Sequence, residues 1–260
     1  MTEPLILLER DGPVALLVNN RPEKHNAFSD EMDRQLFAAL DELDRDTSVR
    51  CIVWRGNGPS FSSGRDVGEL GVRTEDLSDL QFIERGHRWT SLLLSLHAPV
   101  VAALHGWVIG GSFERALLCD LRVAAAGTRM RLPEVHHGVI PDSGGVARLF
   151  QMAGHGLATD LALTGRTLTA EEALAHGVVS RVVPDEELAQ AALALGHEIA
   201  SLPPFTVKMA RRVIRSLAAE EVRRSMAEEA LAQSLVFASA DYAELKAARR
   251  EGRDPDFRGR

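Results

Sequence analysis

Two short apolar runs, Cys51–Arg55 and Pro99–Leu104, constrain the fold of this 260-residue chain more than any other feature. The second run has no alternation of apolar and polar residues, which is typical of a strand that is buried on both faces. Each run is followed by a glycine-containing turn and then by a stretch with helical periodicity. This order of elements predicts an α/β fold for the first part of the chain.

Helical periodicity dominates after Pro141, so the α/β part is followed by a helical part. Nearer the N-terminus, Asp11-Gly12 between two apolar runs predicts a hairpin, and Ser29 is placed to cap a helix that reaches about Arg45. The long C-terminal helices suit either an oligomer interface or packing on the chain's own core. The predicted strands are Leu5–Glu9, Val14–Asn19, Cys51–Arg55, Pro99–Leu104 and Leu121–Ala125, and the later helices are Leu77–Leu96, Gly111–Leu118, Gly145–Met152, Leu157–Leu163, Ala170–His176, Glu186–Leu202, Phe205–Ser216, Glu220–Phe237 and Asp241–Glu251.

Charge and cysteine content argue against several classes of protein. A net charge of -7 and a pI of about 5.7 disfavour a nucleic-acid-binding protein, which needs a basic surface. The N-terminus lacks the basic region of a signal peptide, and no apolar run is long enough to span a bilayer, so we expect a cytoplasmic protein with no membrane segment. Cys51 and Cys119 lie in apolar runs, and no ligands cluster at short spacing, so we expect no metal site.

Two glycine-containing segments, Ser60–Asp66 and His105–Glu114, are candidates for a ligand site. Each lies between an apolar strand and a helical stretch, where backbone N–H groups lack partners and the helix N-terminus adds partial positive charge. Glycine also allows the backbone to approach a ligand closely. Two such turns facing each other would form a hole for a developing oxyanion. For either segment alone, a tight turn without a ligand is the simpler alternative.

Three acidic residues occur at intervals of 20 and eight residues, beginning with the last residue of the second segment: Glu114, Glu134 and Asp142. Glu114 lies in an apolar context, where a carboxylate is costly unless it is paired or functional. Burial would raise its pKa and suit it to acid or base catalysis near neutral pH. Taken singly, each acid also fits a surface or capping position, and Asp142 in particular is placed to cap the next helix.

Several separated motifs follow one another along the chain, namely Asn20–Ala27, Phe61–Asp66, His105–Glu114 with Cys119-Asp120, Pro133-Glu134 with Gly138–Gly145, Leu163–Arg166 and Ala170–Val179. Their order and residues resemble the enoyl-CoA hydratase/isomerase (crotonase) family. The resemblance covers about Leu5 to Val183 and is specific because separate motifs occur in the family's order. The C-terminal helices match by position only.

The resemblance implies a fold, a division of the chain and an assembly. The fold is an α/β, crotonase-like spiral of ββα units followed by a C-terminal helical trimerisation region. Residues 1–195 would form the spiral core with the active site, and residues 196–260 the oligomerisation region. The assembly would be a homotrimer or a dimer of trimers.

The resemblance also assigns roles to individual residues. The backbone N–H groups of Arg65 and Gly111 would form the oxyanion hole, and Glu114 and Glu134 would be the two hydratase carboxylates. The partner would be an acyl-CoA thioester as substrate, with no further cofactor and no metal. The residues implied to contact CoA or substrate are Lys24, Ser62, Ser63, Gly64, Arg65, Asp66 and Gly110.

Four positions depart from the family's hydratase pattern. Ser112 stands where many hydratases have a third glycine, and Asp142 stands where standard hydratases have glycine. Arg65 occupies a position that is often alanine, so its side chain is free to reach a CoA phosphate instead. Arg115 directly follows Glu114, so we expect it to point off the catalytic face of the helix.

The favoured function is hydration of the 2,3 double bond of a 2-enoyl-CoA to give a 3-hydroxyacyl-CoA, because both glutamates are present. The alternative is an enoyl- or dienoyl-CoA double-bond isomerase that uses Asp142 with the glutamates, since some isomerases of the family have a catalytic acid at that position. A dehalogenase with Asp142 as nucleophile is disfavoured because it leaves the two glutamates without a role. A non-catalytic acyl-CoA binder is disfavoured because such a protein has no need of two buried acids.

The length of the acyl chain depends on loops that form the wall of its tunnel, chiefly the Val67–Gln81 region. That region has no pattern from which a substrate is predicted.

Overall fold

The computed structural model describes residues 3–69 and 76–260, and its main sheet is mostly parallel. In the described chain the strand order is β1-β2-β3-β4-β6-β9, and within it β1 and β2 form the antiparallel hairpin predicted around Gly12. A smaller sheet has the order β5-β7-β8. The strands are β1 (Ile6–Asp11), β2 (Val14–Asn19), β3 (Cys51–Gly56), β4 (Val100–Leu104), β5 (Trp107–Ile109), β6 (Leu121–Ala125), β7 (Arg129–Arg131), β8 (Leu168–Thr169) and β9 (Arg181–Val183).

The central strands of the main sheet are mostly apolar because both faces of the sheet are covered. Ile52 and Trp54 of β3 belong to one core cluster, which also includes residues of the early helices. Cys51 and Val53, which alternate with them, belong to a second cluster on the opposite face. Successive side chains of a strand point to opposite faces, so both sets are buried. The predicted α/β fold and the buried strands are confirmed.

The helices agree with their predicted positions to within a few residues. Ser29 accepts a hydrogen bond from the Met32 N–H (3.1 Å), as predicted for the cap of α1. In α4 the backbone departs from helical geometry at Gly154 (φ 77°), between the two segments predicted there. The helices are α1 (Asp30–Arg45), α2 (Asp79–Ser95), α3 (Gly111–Leu118), α4 (Gly145–Thr164), α5 (Ala170–Ala175), α6 (Leu188–Ser201), α7 (Pro204–Ser216), α8 (Ala219–Ala238) and α9 (Ala240–Glu251).

The part of the chain after Pro141 is less uniformly helical than predicted. The strands β8 and β9 lie in it, and β9 extends the main sheet by pairing in parallel with β6. These strands have only two and three residues, so they are too short to produce a periodic pattern. Helix α6 also packs on the main sheet, and the predicted division between residues 195 and 196 falls inside this helix.

Helix α8 packs along α2 and α4 of the same chain. Packing on the chain's own core was one of the two roles that the sequence allowed for the long C-terminal helices. Apolar side chains in and just after α7 remain exposed, among them Ile214 (67%) and Leu217 (77%). The oligomerisation role of residues 196–260 stays a prediction. Among the described residues, no helix has the length and apolar character of a membrane span.

Candidate active site

The two glycine-containing turns lie side by side, as the sequence led us to expect. Ser62 pairs with Val108 in a parallel bridge, in which the Ser62 N–H donates to the Trp107 carbonyl (3.1 Å) and the Ile109 N–H donates to the Ser62 carbonyl (3.0 Å). Arg65 and Gly111 each follow this bridge by three residues, and both border the same cavity. The bridge therefore carries the two predicted oxyanion-hole residues to one site.

Buried serines hold the two turns together. The Ser62 hydroxyl donates to the Asn26 carbonyl (2.7 Å), accepts from the Gly64 N–H (3.1 Å) and lies 2.7 Å from the Ser112 hydroxyl. Because the single Ser62 proton goes to Asn26, Ser112 is the donor in the serine pair. Ser112, the departure from the glycine of many hydratases, thus connects α3 to the opposite turn.

Two backbone donors at the cavity are without partners. Within the described chain, the N–H groups of Arg65 and Gly111 make no hydrogen bond. Gly111 is the first residue of α3, where an N–H has no intrahelical acceptor and the helix adds partial positive charge. Both residues border the cavity, so their N–H groups remain the predicted donors to a carbonyl oxygen there.

Glu114 borders the cavity and is almost fully buried (1% exposed). It accepts hydrogen bonds from three backbone N–H groups at the start of α4, those of Asp142 (3.3 Å), Ser143 (3.0 Å) and Gly145 (3.1 Å). Burial and the neighbouring carboxylates, first Glu134, nevertheless raise its pKa well above the ordinary 4.5. Glu114 is therefore fixed in position, and burial favours its protonated form.

Glu134 borders the same cavity from the start of a short 3-10 helix, Glu134–His137. Its Oε2 atom is buried and has no hydrogen-bond partner among the residues that the structure describes. Burial is the main cause that raises its pKa from 4.5 to about 7, and the charge of Asp142 adds to it. Gly110 makes room for this carboxyl group, since a Cβ there would lie 2.7 Å from Glu134 Oε1.

Asp142 is a third acid at the cavity. Burial and the charge of Glu229 raise its pKa from 3.8 to about 7, and Arg115 opposes this shift. The predicted three acids are thus brought together, and the cavity has carboxyl groups that exchange protons near neutral pH.

Glu229 and Gln233 of α8 were not predicted as part of this site. Glu229 accepts hydrogen bonds from the Gly144 N–H (2.8 Å) and the Ser225 hydroxyl (2.6 Å), and it is 7% exposed. Gln233 borders the cavity. In the sequence both lie in a helix rich in Glu and Ala, and no pattern distinguishes them from exposed residues.

The cavity has a volume of about 190 Å³ and walls of mixed character. Apolar side chains of α2 and α8, including Phe82, Trp89 and Phe237, form part of it. Arg115 also borders it, so the prediction that Arg115 points off the catalytic face is wrong. The long side chain turns along α3 and donates to Asp33 (2.7 Å).

Apart from Arg65, the residues predicted to contact CoA do not border this cavity. The Arg65 guanidinium pairs with Asp30 and Asp33, so the idea that it reaches a phosphate finds no support. Lys24 is exposed, and its carbonyl accepts from the Ser63 hydroxyl (3.3 Å). Asp66 pairs with Arg21 (2.8 Å) and accepts from the Gly68 N–H (3.0 Å), a local capping role. Of the predicted tunnel region Val67–Gln81, residues 70–75 lie outside the described residues.

Close packing of α3 against α4 at Gly145 makes this glycine sensitive to substitution. A Cβ there would overlap the Cα and Cβ atoms of Glu114. We expect Gly145→Ala to lower the free energy of unfolding by about 1–3 kcal/mol and to displace the Glu114 carboxylate, because backbone must move. Urea unfolding measures the loss.

Gly156 is the matched control for that substitution because it lies in the same helix with nothing within 4 Å of its Cβ position. Gly156→Ala should raise the free energy of unfolding by about 0.5–1 kcal/mol through better helix propensity. Equal effects of the two alanines would contradict the packing argument.

Comparison with known proteins gives a consistent result over the whole chain. Residues 9–260 match the family model described as enoyl-CoA hydratase/isomerase. A probable enoyl-CoA hydratase of Mycobacterium tuberculosis is 33% identical over 99% of both chains, and the 2,3-dehydroadipyl-CoA hydratase of Escherichia coli is 32% identical over 98% of this chain and 99% of that protein. The crystal structure of an enoyl-CoA hydratase/isomerase from Pseudoalteromonas atlantica is similar with a TM-score of 0.88 and 31% identity, covering 98% of this chain and 100% of that one.

Proposed function

Because the chain belongs to the enoyl-CoA hydratase/isomerase family and is therefore an enzyme with the crotonase-like α/β fold, we propose that it hydrates a 2-enoyl-CoA thioester to a 3-hydroxyacyl-CoA. One observation carries the proposal. Glu114 and Glu134 border the same cavity as the partnerless N–H groups of Arg65 and Gly111. Hydration needs both a polarised thioester carbonyl and a pair of proton-transferring groups.

In this proposal the Arg65 and Gly111 N–H groups bind the thioester oxygen. Addition of oxygen at C3 moves negative charge onto that oxygen, so the two fixed donors bind the enolate more strongly than the ground state. Differential binding of this kind lowers the barrier, and the loss of one donor in comparable sites reduces the rate about 10²–10³-fold.

The two glutamates hold the attacking water between them and share one proton. The ionised glutamate takes a proton from the water as its oxygen bonds to C3, and the protonated glutamate gives a proton to C2. The position of Glu134 at the cavity wall supports this role, and its Oε2 makes no hydrogen bond within the described chain. Burial raises the pKa values of both glutamates, which favours the sharing of one proton between them.

Incubation with crotonyl-CoA tests the proposal. We expect loss of the conjugated thioester absorbance and a product that is heavier by one water. Retention of the substrate by a folded enzyme that still binds acyl-CoA would favour a non-catalytic binder.

A second candidate function, double-bond isomerisation, is supported by Asp142, which borders the cavity and has a pKa of about 7. An acid at this point can move a proton along the acyl chain. A product of unchanged mass with a shifted double bond, detected by NMR, would favour this function.

Substitution of Asp142 by Asn separates the two functions. The charge of Asp142 contributes to the raised pKa values of Glu114 and Glu134, so both values fall in the variant. Hydration needs one of the pair ionised and the other protonated, and the pH range of activity therefore moves to lower pH. We expect Asp142→Asn to hydrate crotonyl-CoA with an optimum shifted in that direction. Complete loss of activity at every pH would instead mean that Asp142 itself transfers a proton, as the isomerase alternative requires.

Other features of the enzyme are part of the same proposal. Acyl-CoA is the substrate and no further cofactor takes part, and within the described chain no group of three or more His, Cys, Asp or Glu residues is arranged as a metal site. The turn that contains Ser62, Ser63 and Gly64, with Lys24 and Asp66, would contact CoA beside the cavity. A cytoplasmic location rests on the sequence alone.

A trimer or a dimer of trimers is proposed for the assembly, with residues 196–260 contributing to the interface. Exposed apolar side chains support it, since Phe150 of α4 (50%) borders one surface depression together with Ile214 of α7 and Leu217, the residue after α7. Apolar patches of this kind usually mark protein–protein contacts. Sedimentation velocity distinguishes the trimer from the hexamer.

A further inference from the structure

The 142–145 segment, which leads into α4, donates its four backbone N–H groups to two buried glutamates. Glu114 accepts three of them, and Glu229 of α8 accepts the fourth, which belongs to Gly144 (2.8 Å). The N-terminus of a helix has partial positive charge and N–H groups without intrahelical acceptors, so carboxylates are favoured there. The segment that binds the Glu114 carboxylate is therefore also bound by Glu229.

Gly144 lies between residues whose N–H groups hold Glu114. Its backbone is buried and left-handed (φ 78°), a conformation that glycine adopts easily but to which it is not confined. A buried N–H needs an acceptor, so without Glu229 the Gly144 peptide would rotate toward another acceptor. Because Ser143 and Gly145 are its neighbours in the chain, the same rotation would carry their N–H groups away from Glu114.

One face of α8 supports Glu229 against this segment. Val222, Met226 and Glu229 are separated by four and three residues, so they share a face of the helix. A Cβ at Gly144 would lie 3.3 Å from Val222 Cγ1 and 2.9 Å from Met226 Cγ, so the helix and the segment are in close contact. The Ser225 hydroxyl donates to Glu229 Oε1 (2.6 Å) while Oε2 accepts the segment's N–H. The carboxylate is thus held through both of its oxygens.

Two further side chains fix the chain just before this segment and at its first residue. Gln233 of α8 accepts a hydrogen bond from the Ile140 N–H (2.8 Å). Nε2 of His87 in α2 donates to the Asp142 carbonyl (2.6 Å), since a carbonyl oxygen only accepts. Glu229 secures the residues that follow.

We propose that Glu229 is a positioning residue, which accepts the Gly144 N–H and so holds the 142–145 segment in the conformation that fixes the Glu114 carboxylate. Glu229 does not border the cavity, whereas Glu114 does, so Glu229 acts through the segment and not on the substrate. The inference rests on the proposed hydratase function and adds to it a residue of the C-terminal helices.

Two substitutions of Glu229 separate the reach of its side chain from its charge. Glu229→Gln keeps the length and an acceptor for the Gly144 N–H, whereas Glu229→Asp keeps the charge and withdraws the carboxylate by one methylene group. The charge of Glu229 raises the pKa values of Glu114 and Asp142, so kcat for crotonyl-CoA is compared at the pH optimum of each variant. We expect Glu229→Asp to lower kcat about 10–100-fold with KM almost unchanged, and Glu229→Gln to retain most of it.

Glu228 provides the matched controls because it is exposed on the same helix. Glu228→Asp and Glu228→Gln should leave kcat unchanged, which accounts for the lower helix propensity of aspartate. A loss in Glu229→Gln with activity retained in Glu229→Asp would mean that charge and not reach matters, and would overturn the inference. Equal losses in the two Glu229 variants would overturn it too, since glutamine retains the acceptor.

Ser225→Ala replaces Glu229→Asp if thermal melting shows that the aspartate variant is unfolded. It removes the hydrogen bond that orients the Glu229 carboxylate and leaves the carboxylate itself in place. A several-fold fall in kcat supports the inference, and an unchanged kcat overturns it.

Crystal structures of the wild type and of Glu229→Asp, or of Ser225→Ala in its place, give a readout that does not depend on turnover. The inference predicts that the Gly144 peptide rotates and that the Glu114 carboxylate loses one or more of its backbone donors. An unchanged segment overturns the inference. Hydration by the wild type with equal kcat in the variant overturns the inference and leaves the hydratase intact. No hydration of any 2-enoyl-CoA by the wild type overturns the proposed function, and the two structures then decide whether Glu229 positions Glu114.

Discussion

Replacement of Glu134 by Gln is expected to lower kcat for hydration of crotonyl-CoA by about 10²–10⁴-fold, with KM almost unchanged. Glutamine has the shape of protonated glutamate but cannot transfer a proton. Glu134 borders the cavity in which the proposed reaction takes place. Steady-state kinetics give kcat and KM separately.

The stability of Glu134→Gln distinguishes a catalytic defect from a folding defect. The folded-state pKa of Glu134, about 7, lies above its ordinary value of 4.5. The protonated carboxyl therefore contributes stability that is fully present below about pH 4.5 and is lost as the pH rises through about 7. At pH 8 the wild type must bury a charge that the variant lacks, so the variant should melt at an equal or higher temperature there.

Glu42→Gln is the matched control, because Glu42 is an exposed residue of α1. It should leave kcat unchanged. A Glu134 variant that retains more than about a tenth of wild-type kcat, with a normal melting temperature, would remove Glu134 from the proton transfer.

Substitution of Gly111 by Pro is expected to reduce kcat/KM about 10²–10³-fold or more, because proline has no N–H. Gly111 is the first residue of α3, and proline is well tolerated at the first position of a helix. The change therefore deletes a single proposed oxyanion donor while the helix is kept. Circular dichroism and thermal melting check that α3 and the fold persist.

Gly111→Ala controls for the added side chain. Its Cβ would lie 3.7 Å from the Ser143 hydroxyl, an ordinary contact, and the N–H remains. The alanine variant should retain most of the wild-type activity. Similar losses in the two variants would mean that space at this position, and not the donor, limits the reaction.

Local patterns predicted the parts of the site that a short segment encodes. The glycine turns, their helices and the isolated acid at Glu114 are visible as motifs, since they depend on neighbours in sequence. The bridge between Ser62 and Val108, which brings the turns together, depends on contacts between distant segments. No periodic pattern specifies it.

The predictions that were wrong or missing have physical causes as well. Arg115 was expected to point away because helix periodicity separates adjacent residues, yet a long side chain turns back to reach Asp33 at the cavity wall. Gln233 and Glu229 enter the site only because α8 packs along α2 and α4. The strand β9 has three residues, and its pairing with β6 rather than its own sequence makes it part of the sheet.

A crystal structure with a saturated acyl-CoA, which has no double bond to hydrate, tests the central claim most directly. We expect the thioester oxygen to lie about 2.7–3.1 Å from the backbone nitrogens of both Arg65 and Gly111, with C2 and C3 facing Glu114 and Glu134. A thioester oxygen bound elsewhere, or with only one of these nitrogens in reach, would contradict the account.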